Sequence, residues 1–291
     1  RALGLPSDAG LTFVARASFR GEPAVGLDPE HGQIVTLSRE RLGRYQAEWA
    51  TAAGAEIRAN AAVSGIDLAE RTLSCEGRRI RYERLIGADG SGSAVRRALG
   101  HATPRMFFAG EFNVPGRRNF DLGIAFDSDA LASGYFWVFP HEDYTCIGAG
   151  APKGRVRPAS IRPYLERRMA SLGVDPGETA YEGAAVEAGF VGFHFAGGVH
   201  LVGDAAGAPS GLTAEGIYAA LISGEEVARY LLDDRFSMPK TKHWLTIKRA
   251  HDTVGRLWHN RRSREISLTA LDALCRTNTS RRWLSKFFLE T

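Results

Sequence analysis

Only three cysteines, Cys75, Cys146 and Cys275, occur in the 291 residues. They are widely spaced and odd in number, which excludes a disulfide framework and a Cys-based zinc cluster and fits a reducing, cytoplasmic compartment. No apolar run approaches the roughly 20 residues that a membrane-crossing helix needs, and no charged start leads into an apolar signal core. His31, His141, His194 and His200 show no metal-ligand spacing, so no metal is expected. No Ser-His-Asp or Cys-His pattern is evident, and there is no internal repeat or low-complexity stretch. The G-x-G-x-x-G turn that grips a dinucleotide pyrophosphate is also missing; the nearest approach, Gly148 and Gly150, has Lys153 at the third place and sits in a hairpin pattern.

With 44% apolar residues the chain can bury a substantial core. Its net charge of +4 is unevenly spread: Lys240 to Thr291 carries 12 basic against 4 acidic side chains, leaving the rest net acidic. That basic, helical region also holds Trp244, Trp258, Trp283, Phe287 and Phe288. Either it makes a peripheral contact with an anionic membrane surface, or its aromatics dock on the main body; the second reading carries more weight, and no nucleic-acid partner is expected.

The first part of the chain has α/β texture. A strand over Gln33 to Leu37 leads to a helix from Arg39 to Ala53 closed by Gly54, with a further strand expected from Glu56. A hairpin turns at Glu76 and Gly77, an apolar strand follows at Leu85 and Ile86, and a short helix is capped by Ser91 or Ser93 and stopped by Gly100. From Met106 to Phe195 the pattern becomes that of an antiparallel sheet with one helix near Pro158 to Ser171. Strand–helix texture returns at Val199, and after Asp233 the remainder is helical.

Three stretches carry chemistry. In "HLVGDAAGAPSGLTAEGIYAALISGE" a short apolar strand breaks at Gly203 and Asp204, and a helix follows on the periodicity of Ile217, Ala220, Leu221, Gly224, Ala228 and Leu231. Such a crossover presents a helix N-terminus and a carboxylate at the carboxyl edge of a sheet, where α/β proteins hold ligands. Asp204 could accept from a sugar-like hydroxyl there, or simply satisfy backbone amides in a turn. "LIGADGSGSAVRRALG" repeats the arrangement with Asp89 and Gly90. "GYFWVFPHEDYTCIGAG" forms two antiparallel strands with Tyr135, Trp137 and Phe139 on one face.

Together these stretches resemble the geranylgeranyl reductase family of FAD-dependent oxidoreductases, within the p-hydroxybenzoate hydroxylase-like flavoproteins. The first resembles the flavin-ribityl motif, although Ala214 stands where the family usually has Gly and Gly211 where many members have Pro. The second is similar to the fingerprint whose Asp and Gly contact FAD; the third is similar to Tyr-x-Trp-x-Phe-Pro, which lines the substrate cavity. Arg39 matches a family Arg that contacts FAD, with Gly43 and Gln46 departing from the pattern around it.

The resemblance implies an α/β (α+β) protein: a Rossmann-type FAD-binding domain over 1–105 and 196–232, an inserted antiparallel-sheet substrate domain over 106–195, and a basic helical region over 233–291. It implies cofactor contacts at Arg39, Asp89, Gly90, Gly203, Asp204, Ala205, Gly207, Glu215, Gly216 and Ile217. Tyr135, Trp137, Phe139 and Pro140 would meet the substrate, with Tyr135 either a proton donor or a wall residue. In the family the missing G-x-G-x-x-G unit holds the ADP half of FAD, so the FAD domain is expected to be incomplete, the chain a truncated form, and its hold on FAD weak. The implied activity is reduction of C=C bonds in an isoprenoid chain, with NAD(P)H or a ferredoxin-type donor. The alternatives are a flavin-dependent monooxygenase or halogenase, and a lipid-binding remnant without flavin.

Overall fold

A computed structural model describes residues 10–14, 16–19, 25–26, 33–102, 106–275, 277, 279–280 and 282. In chain order the elements are β1 (Leu11–Val14), β2 (Arg16–Phe19), β3 (Val25–Gly26), β4 (Gln33–Thr36), α1 (Arg39–Ala52), β5 (Val63–Asp67), β6 (Thr72–Cys75), β7 (Arg78–Arg81), β8 (Leu85–Gly87), α2 (Ala94–Ala98) and β9 (Met106–Pro115). They continue with β10 (Gly123–Phe126), α3 (Ser128–Leu131), β11 (Tyr135–Pro140), β12 (Tyr144–Pro152), α4 (Ile161–Ser171), β13 (Tyr181–Glu187), β14 (His194–Phe195), β15 (Val199–Leu201), α5 (Ile217–Leu232), α6 (Pro239–Leu257) and α7 (Arg261–Cys275).

Two sheets position the site. A seven-stranded sheet, in the order β13-β9-β12-β11-β10-β2-β3, is antiparallel except where β10 runs parallel to β2. It therefore draws in Arg16–Phe19 and Val25–Gly26 from outside the expected 106–195 span. Side chains alternate across it. One face, with Phe112, Val114, Phe136 and Ile147, packs on Ile161, Leu165 and Met169 of α4. The other carries Tyr135, Trp137 and Phe139. The smaller sheet, β14-β15-β8, has β8 and β15 parallel, so both strands end at the same edge.

Local chemistry explains most boundaries. Ser38 caps α1 by accepting from Arg41 N–H, Ser93 caps α2 by accepting from Arg96 N–H, and the turn at Glu76 (φ 50°) and Gly77 (φ 74°) closes the β6–β7 hairpin as expected.

Two expectations fail. No strand starts at Glu56: residues 51–60 are exposed, Glu56 is tied to Arg58 at 2.6 Å, Asn60 takes φ 58°, and β5 begins only at Val63 and pairs antiparallel with β6. An apolar pattern with nothing to cover it does not hold a strand. The inward face of α5 is also displaced from the expected one. Ala219, Ile222, Ser223, Glu226 and Val227 are buried, while Ile217 and Ala228 are exposed. Two polar residues displace the apolar stripe because each has a buried task. Ser223 Oγ accepts from Gly203 N–H at 3.0 Å, and Glu226 accepts from Lys240 and Thr241 N–H at 3.0 and 2.8 Å, capping α6.

Trp244 and Trp258 are each 1% exposed and packed on the body. Trp283, Phe287, Phe288 and His31 lie outside the described residues. Within the described residues no helix is long and apolar enough to cross a membrane, and no group of His, Cys, Asp and Glu could hold a metal.

His194 and His200, cross-strand partners on β14 and β15, meet through their Nδ1 atoms at 2.9 Å; His194 Nε2 also lies 3.2 Å from Met238 Sδ. Burial holds both imidazoles below the usual histidine pKa, and His194 and Arg84 add to the effect at His200. The unfolded chain then binds more protons than the folded one once pH drops below about 6.5. Stability is expected to be fully present above that pH and to fall as pH falls through the depressed folded values, by up to about 1.4 kcal/mol per pH unit at the buried His200 and by less at the exposed His194, where solvent screens the shift. Urea midpoints across pH should show this slope, and His200→Gln should flatten it.

Candidate functional site

Two crossovers meet at one sheet edge. β8 runs into Asp89-Gly90-Ser91 and then α2; β15, beside it, runs into the 3-10 turn Gly203–Ala206 and, through a loop, α5. Ser91 joins them: its hydroxyl donates to Asp204 Oδ2 at 2.8 Å and accepts from Glu187 N–H at 2.9 Å. One side chain thus ties both turns to the end of β13, and so to the large sheet. Asp89 is spent locally, its Oδ2 accepting from Ala94 N–H at 2.7 Å and Val95 N–H at 3.3 Å to cap α2. Behind Ser91, the fully buried Arg96 donates to the carbonyls of Ala102 and Gly189 and lies 3.9 Å from the equally buried Glu187.

The loop between the 3-10 turn and α5 is set by one face of α6. Trp244 Nε1 donates to the Ala208 carbonyl at 2.9 Å. Lys248 Nζ donates to the carbonyls of Pro209 and Ala188, each at 2.7 Å. His251 Nδ1 meets Ser210 Oγ at 2.9 Å, and a Cβ on Gly255 would stand 2.6 Å from the Gly211 carbonyl. Positions 244, 248, 251 and 255 form one helical stripe and meet loop residues 208, 209, 210 and 211 in order. Ser210 passes the constraint on, its hydroxyl accepting from Leu212 and Thr213 N–H. Ala214 is held at φ 54°, a conformation that costs an L-residue with a side chain about 1–2 kcal/mol and glycine nothing. A glycine at this place would avoid that cost.

Asp204, Glu215 and Arg39 come within electrostatic reach of one another. Burial raises the pKa of Asp204 above the usual carboxylate range, against the Ser91 hydrogen bond and Arg39. Burial likewise raises Glu215, against the Tyr218 and Ile217 amides and Arg39, with Asp204 adding to the rise. Glu215 Oε1 accepts from Tyr218 N–H at 2.9 Å, so this carboxylate already caps α5. Among the described residues Glu215 Oε2 is buried without a hydrogen-bond partner, whereas Asp204 Oδ1 is left open. Arg39, exposed at the start of α1, makes no hydrogen bond or ion pair among the described residues. Further along α1, Arg41 and Arg44 help line a cavity of about 220 Å³ with His141 and Tyr144.

The aromatic ladder closes the other side. Tyr135 and Trp137 have ring centroids 5.8 Å apart, and Trp137 and Phe139 stack at 6.1 Å. The indole lies across Gly148, where a Cβ would stand 2.2 Å from it, and its Nε1 donates to Cys146 Sγ at 3.4 Å. The Tyr135 hydroxyl donates to the Thr213 carbonyl, joining the sheet face to the loop just before Glu215. Burial, with Glu215 adding to it, pushes the phenol far above its usual pKa. Pro140 is buried, and its carbonyl accepts from Thr36 Oγ1 at 2.7 Å.

The structure thus gathers Arg39, Asp204, Glu215 and Tyr135, and hangs Gly203, Ala205, Gly207, Gly216 and Ile217 on the same crossover, while Asp89 and Gly90 reach it only through Ser91. The bridging task of Ser91 and the clamp from Trp244, Lys248 and His251 escape the sequence pattern. A hint lay in the placing of Trp244, Lys248 and His251 at one helical spacing inside an otherwise solvent-type charge pattern.

No protein-family profile matches the chain. The chain is 29% identical over 236 residues to digeranylgeranylglycerophospholipid reductase 2 of Methanothermobacter thermautotrophicus, spanning 72% of this chain and 60% of that one. It is 31% identical over 170 residues to an uncharacterised protein of Methanosarcina barkeri, of which the match spans 43%. The chain therefore covers about half the length of these relatives. In structure it is similar to a geranylgeranyl bacteriochlorophyll reductase-like protein of Thermoplasma acidophilum, with TM-score 0.75 and 20% identity over 92% of this chain and 75% of that one. It is also similar to PqsL, a probable FAD-dependent monooxygenase from Pseudomonas aeruginosa, with TM-score 0.60 and 17% identity over 90% and 82% of the two chains. The fold is that of the FAD-dependent reductases, monooxygenases and halogenases. The resemblance to the geranylgeranyl reductase family holds in sequence and in fold.

Two substitutions probe the framework. Ser91→Ala strands Asp204 Oδ2 and the Glu187 amide, and should lower stability by about 2 kcal/mol in urea unfolding, with Ser91→Thr recovering most of it. Lys248→Met keeps the apolar stem but removes a charged donor from two buried carbonyls; a loss of about 3 kcal/mol is expected by the same measurement.

Proposed function

We propose that this chain works as an FAD-dependent oxidoreductase that saturates carbon–carbon double bonds of an isoprenoid chain, drawing electrons from NAD(P)H or a ferredoxin-type donor. The observation that carries this reading is the Tyr135–Thr213 hydrogen bond, which joins an aromatic sheet face to a crossover bearing two half-buried carboxylates, Asp204 with Oδ1 open and Glu215 with Oε2 unpartnered among the described residues. The residues fit a flavin. Asp204 Oδ1 is an open acceptor for a ribityl hydroxyl, and the Glu215 to Ile217 segment sets an N-terminal helix end beside it. Bound there, the flavin would supply hydride; the chain's own residues bind, orient and keep water out.

Their tasks follow from their surroundings. Asp204 holds the sugar-like part while Ser91 fixes its rotamer. Trp137 and Phe139 wall an apolar chain, and Trp137 is kept flat by Gly148 beneath it. Tyr135 is a positioning residue, since its proton is directed at the Thr213 carbonyl. A second reading, an oxygen-activating monooxygenase or halogenase, is favoured by the fold shared with PqsL and the flavin-dependent halogenase BrvH of Brevundimonas.

The test is flavin uptake by the 291-residue chain, followed by quenching of flavin fluorescence. Wild type should bind, and Asp204→Ala should weaken binding by about 10-fold or more, the equivalent of about 1.4 kcal/mol. With no G-x-G-x-x-G turn in the sequence to hold a pyrophosphate, FMN should bind within about tenfold of FAD. Flavin binding that is indifferent to Asp204 would sink the assignment. NAD(P)H-coupled oxygen uptake with substrate would shift the reading to the monooxygenase.

A further inference from the structure

Adding hydrogen across a double bond takes a hydride at one carbon and a proton at its neighbour, so the site needs an acid. Four titratable or charged side chains face the junction between the loop and the aromatic ladder: Arg39 from α1, Asp204 from the 3-10 turn, Tyr135 from β11 and Glu215 just before α5. Tyr218, in the first turn of α5, contributes its amide to Glu215. A guanidinium offers positive charge and hydrogen-bond donors, not an acid for catalysis. The Tyr135 hydroxyl is spent on the Thr213 carbonyl. Asp204 Oδ2 accepts the Ser91 hydroxyl, a bond that favours the carboxylate.

Glu215 is different. Oε1 takes the Tyr218 amide, and Oε2 is buried without a hydrogen-bond partner among the described residues. A bare carboxylate oxygen in that setting is costly, and a carboxylic acid whose O–H awaits a ligand costs far less. We propose that Glu215 is the proton donor of the site, with Oε2 as the atom that carries the proton to the double bond; this rests on the flavin-reductase reading above. The balance closes. A flavin held there would supply a hydride with its two electrons to one carbon; the π bond breaks, and its pair forms a C–H bond at the other carbon with the Glu215 proton. The two electrons lost by the flavin are those gained by the alkene, and Glu215, left as carboxylate, regains its proton from water.

The surroundings suit both states. Burial favours the acid, while Arg39 and the α5 N-terminus favour the carboxylate left behind, so neither form is trapped.

The deciding experiment has two parts. Infrared difference titration of the chain alone should show a carboxylic-acid carbonyl band persisting above the ordinary glutamate range, near pH 4.3. Glu215→Gln should remove that band, and Asp204→Asn should keep it but move its loss to lower pH, since the Asp204 charge adds to the rise at Glu215. In the second part, FAD-loaded protein is reduced anaerobically with dithionite and mixed with digeranylgeranylglycerophospholipid. Compared at saturating FAD, Glu215→Gln should reoxidise about 10²-fold to 10⁴-fold more slowly than wild type, with Glu215→Asp recovering part of the rate. If Glu215→Gln leaves the infrared band in place, or reoxidises at the wild-type rate with the wild-type pH profile, the proton-donor role is wrong while the reductase reading stands. If wild type stays reduced in the presence of the lipid, the reductase reading fails and the proton-donor role fails with it.

Discussion

The site depends on one buried ammonium. Lys248 Nζ is held between the carbonyls of Pro209 and Ala188, at 2% exposure. Those carbonyls belong to different parts of the fold, one to the loop that carries the carboxylates and the other to the segment following β13. A charge removed from water is tolerated only when strong acceptors replace the water, and two carbonyls at 2.7 Å with Asp252 at 3.3 Å do so. Because the ammonium must have both acceptors, the loop cannot drift from the sheet without stranding it. The flanking contacts from Trp244 and His251 act on neighbouring loop residues, so the loop is fixed over successive backbone units rather than pinned at a point. This is how a stretch of small residues, with little side-chain packing of its own, keeps a strained Ala214 and a defined start to α5.

Ser91 does the equivalent work between layers. A hydroxyl can donate once while accepting, and Ser91 uses both capacities across three elements: donor to the turn after β15, acceptor from the end of β13, carried by the turn after β8. The parallel pairing of β8 and β15 makes this feasible, because parallel strands bring both carboxyl ends to the same edge. The aromatic ladder enters the junction independently through Tyr135. Two sheets with separate cores are therefore joined at the site by polar contacts that hydrophobic packing alone could not orient.

Much of this was legible in the sequence, for identifiable reasons. Glycine, turn and cap residues encode backbone geometry locally, so the β6–β7 hairpin, the Ser93 cap and both crossovers could be read directly. The alternation Tyr135, Trp137, Phe139 gave the aromatic face because period two has a single meaning in a strand. The rest was hidden wherever a polar residue is buried for a distant partner. Ser223 and Glu226 displaced the inward stripe of α5, since periodicity counts apolar side chains and cannot see a hydroxyl serving Gly203 or a carboxylate capping α6. Lys248 reads as one more charge in a basic tail, because nothing local announces carbonyls 39 and 60 residues away. The strand expected at Glu56 failed for the converse reason, an apolar pattern without a covering layer.

The two carboxylates of the site show how small differences in partners divide roles between like groups. Both are raised by burial, and both feel Arg39. Asp204 has a hydroxyl donor that rewards the ionised form and fixes its rotamer, leaving an acceptor facing outward. Glu215 has a backbone donor at one oxygen and, among the described residues, no hydrogen-bond partner at the other, and the nearby Asp204 charge opposes its ionisation. Bringing a ligand hydroxyl to Asp204 strengthens its case for staying ionised, which in turn raises the cost of a second negative charge at Glu215. On the reading proposed above, occupation of the site would drive the pair further apart, one toward a fixed acceptor and the other toward a held proton. That separation is the electrostatic condition under which two neighbouring acids can perform different tasks at the same pH.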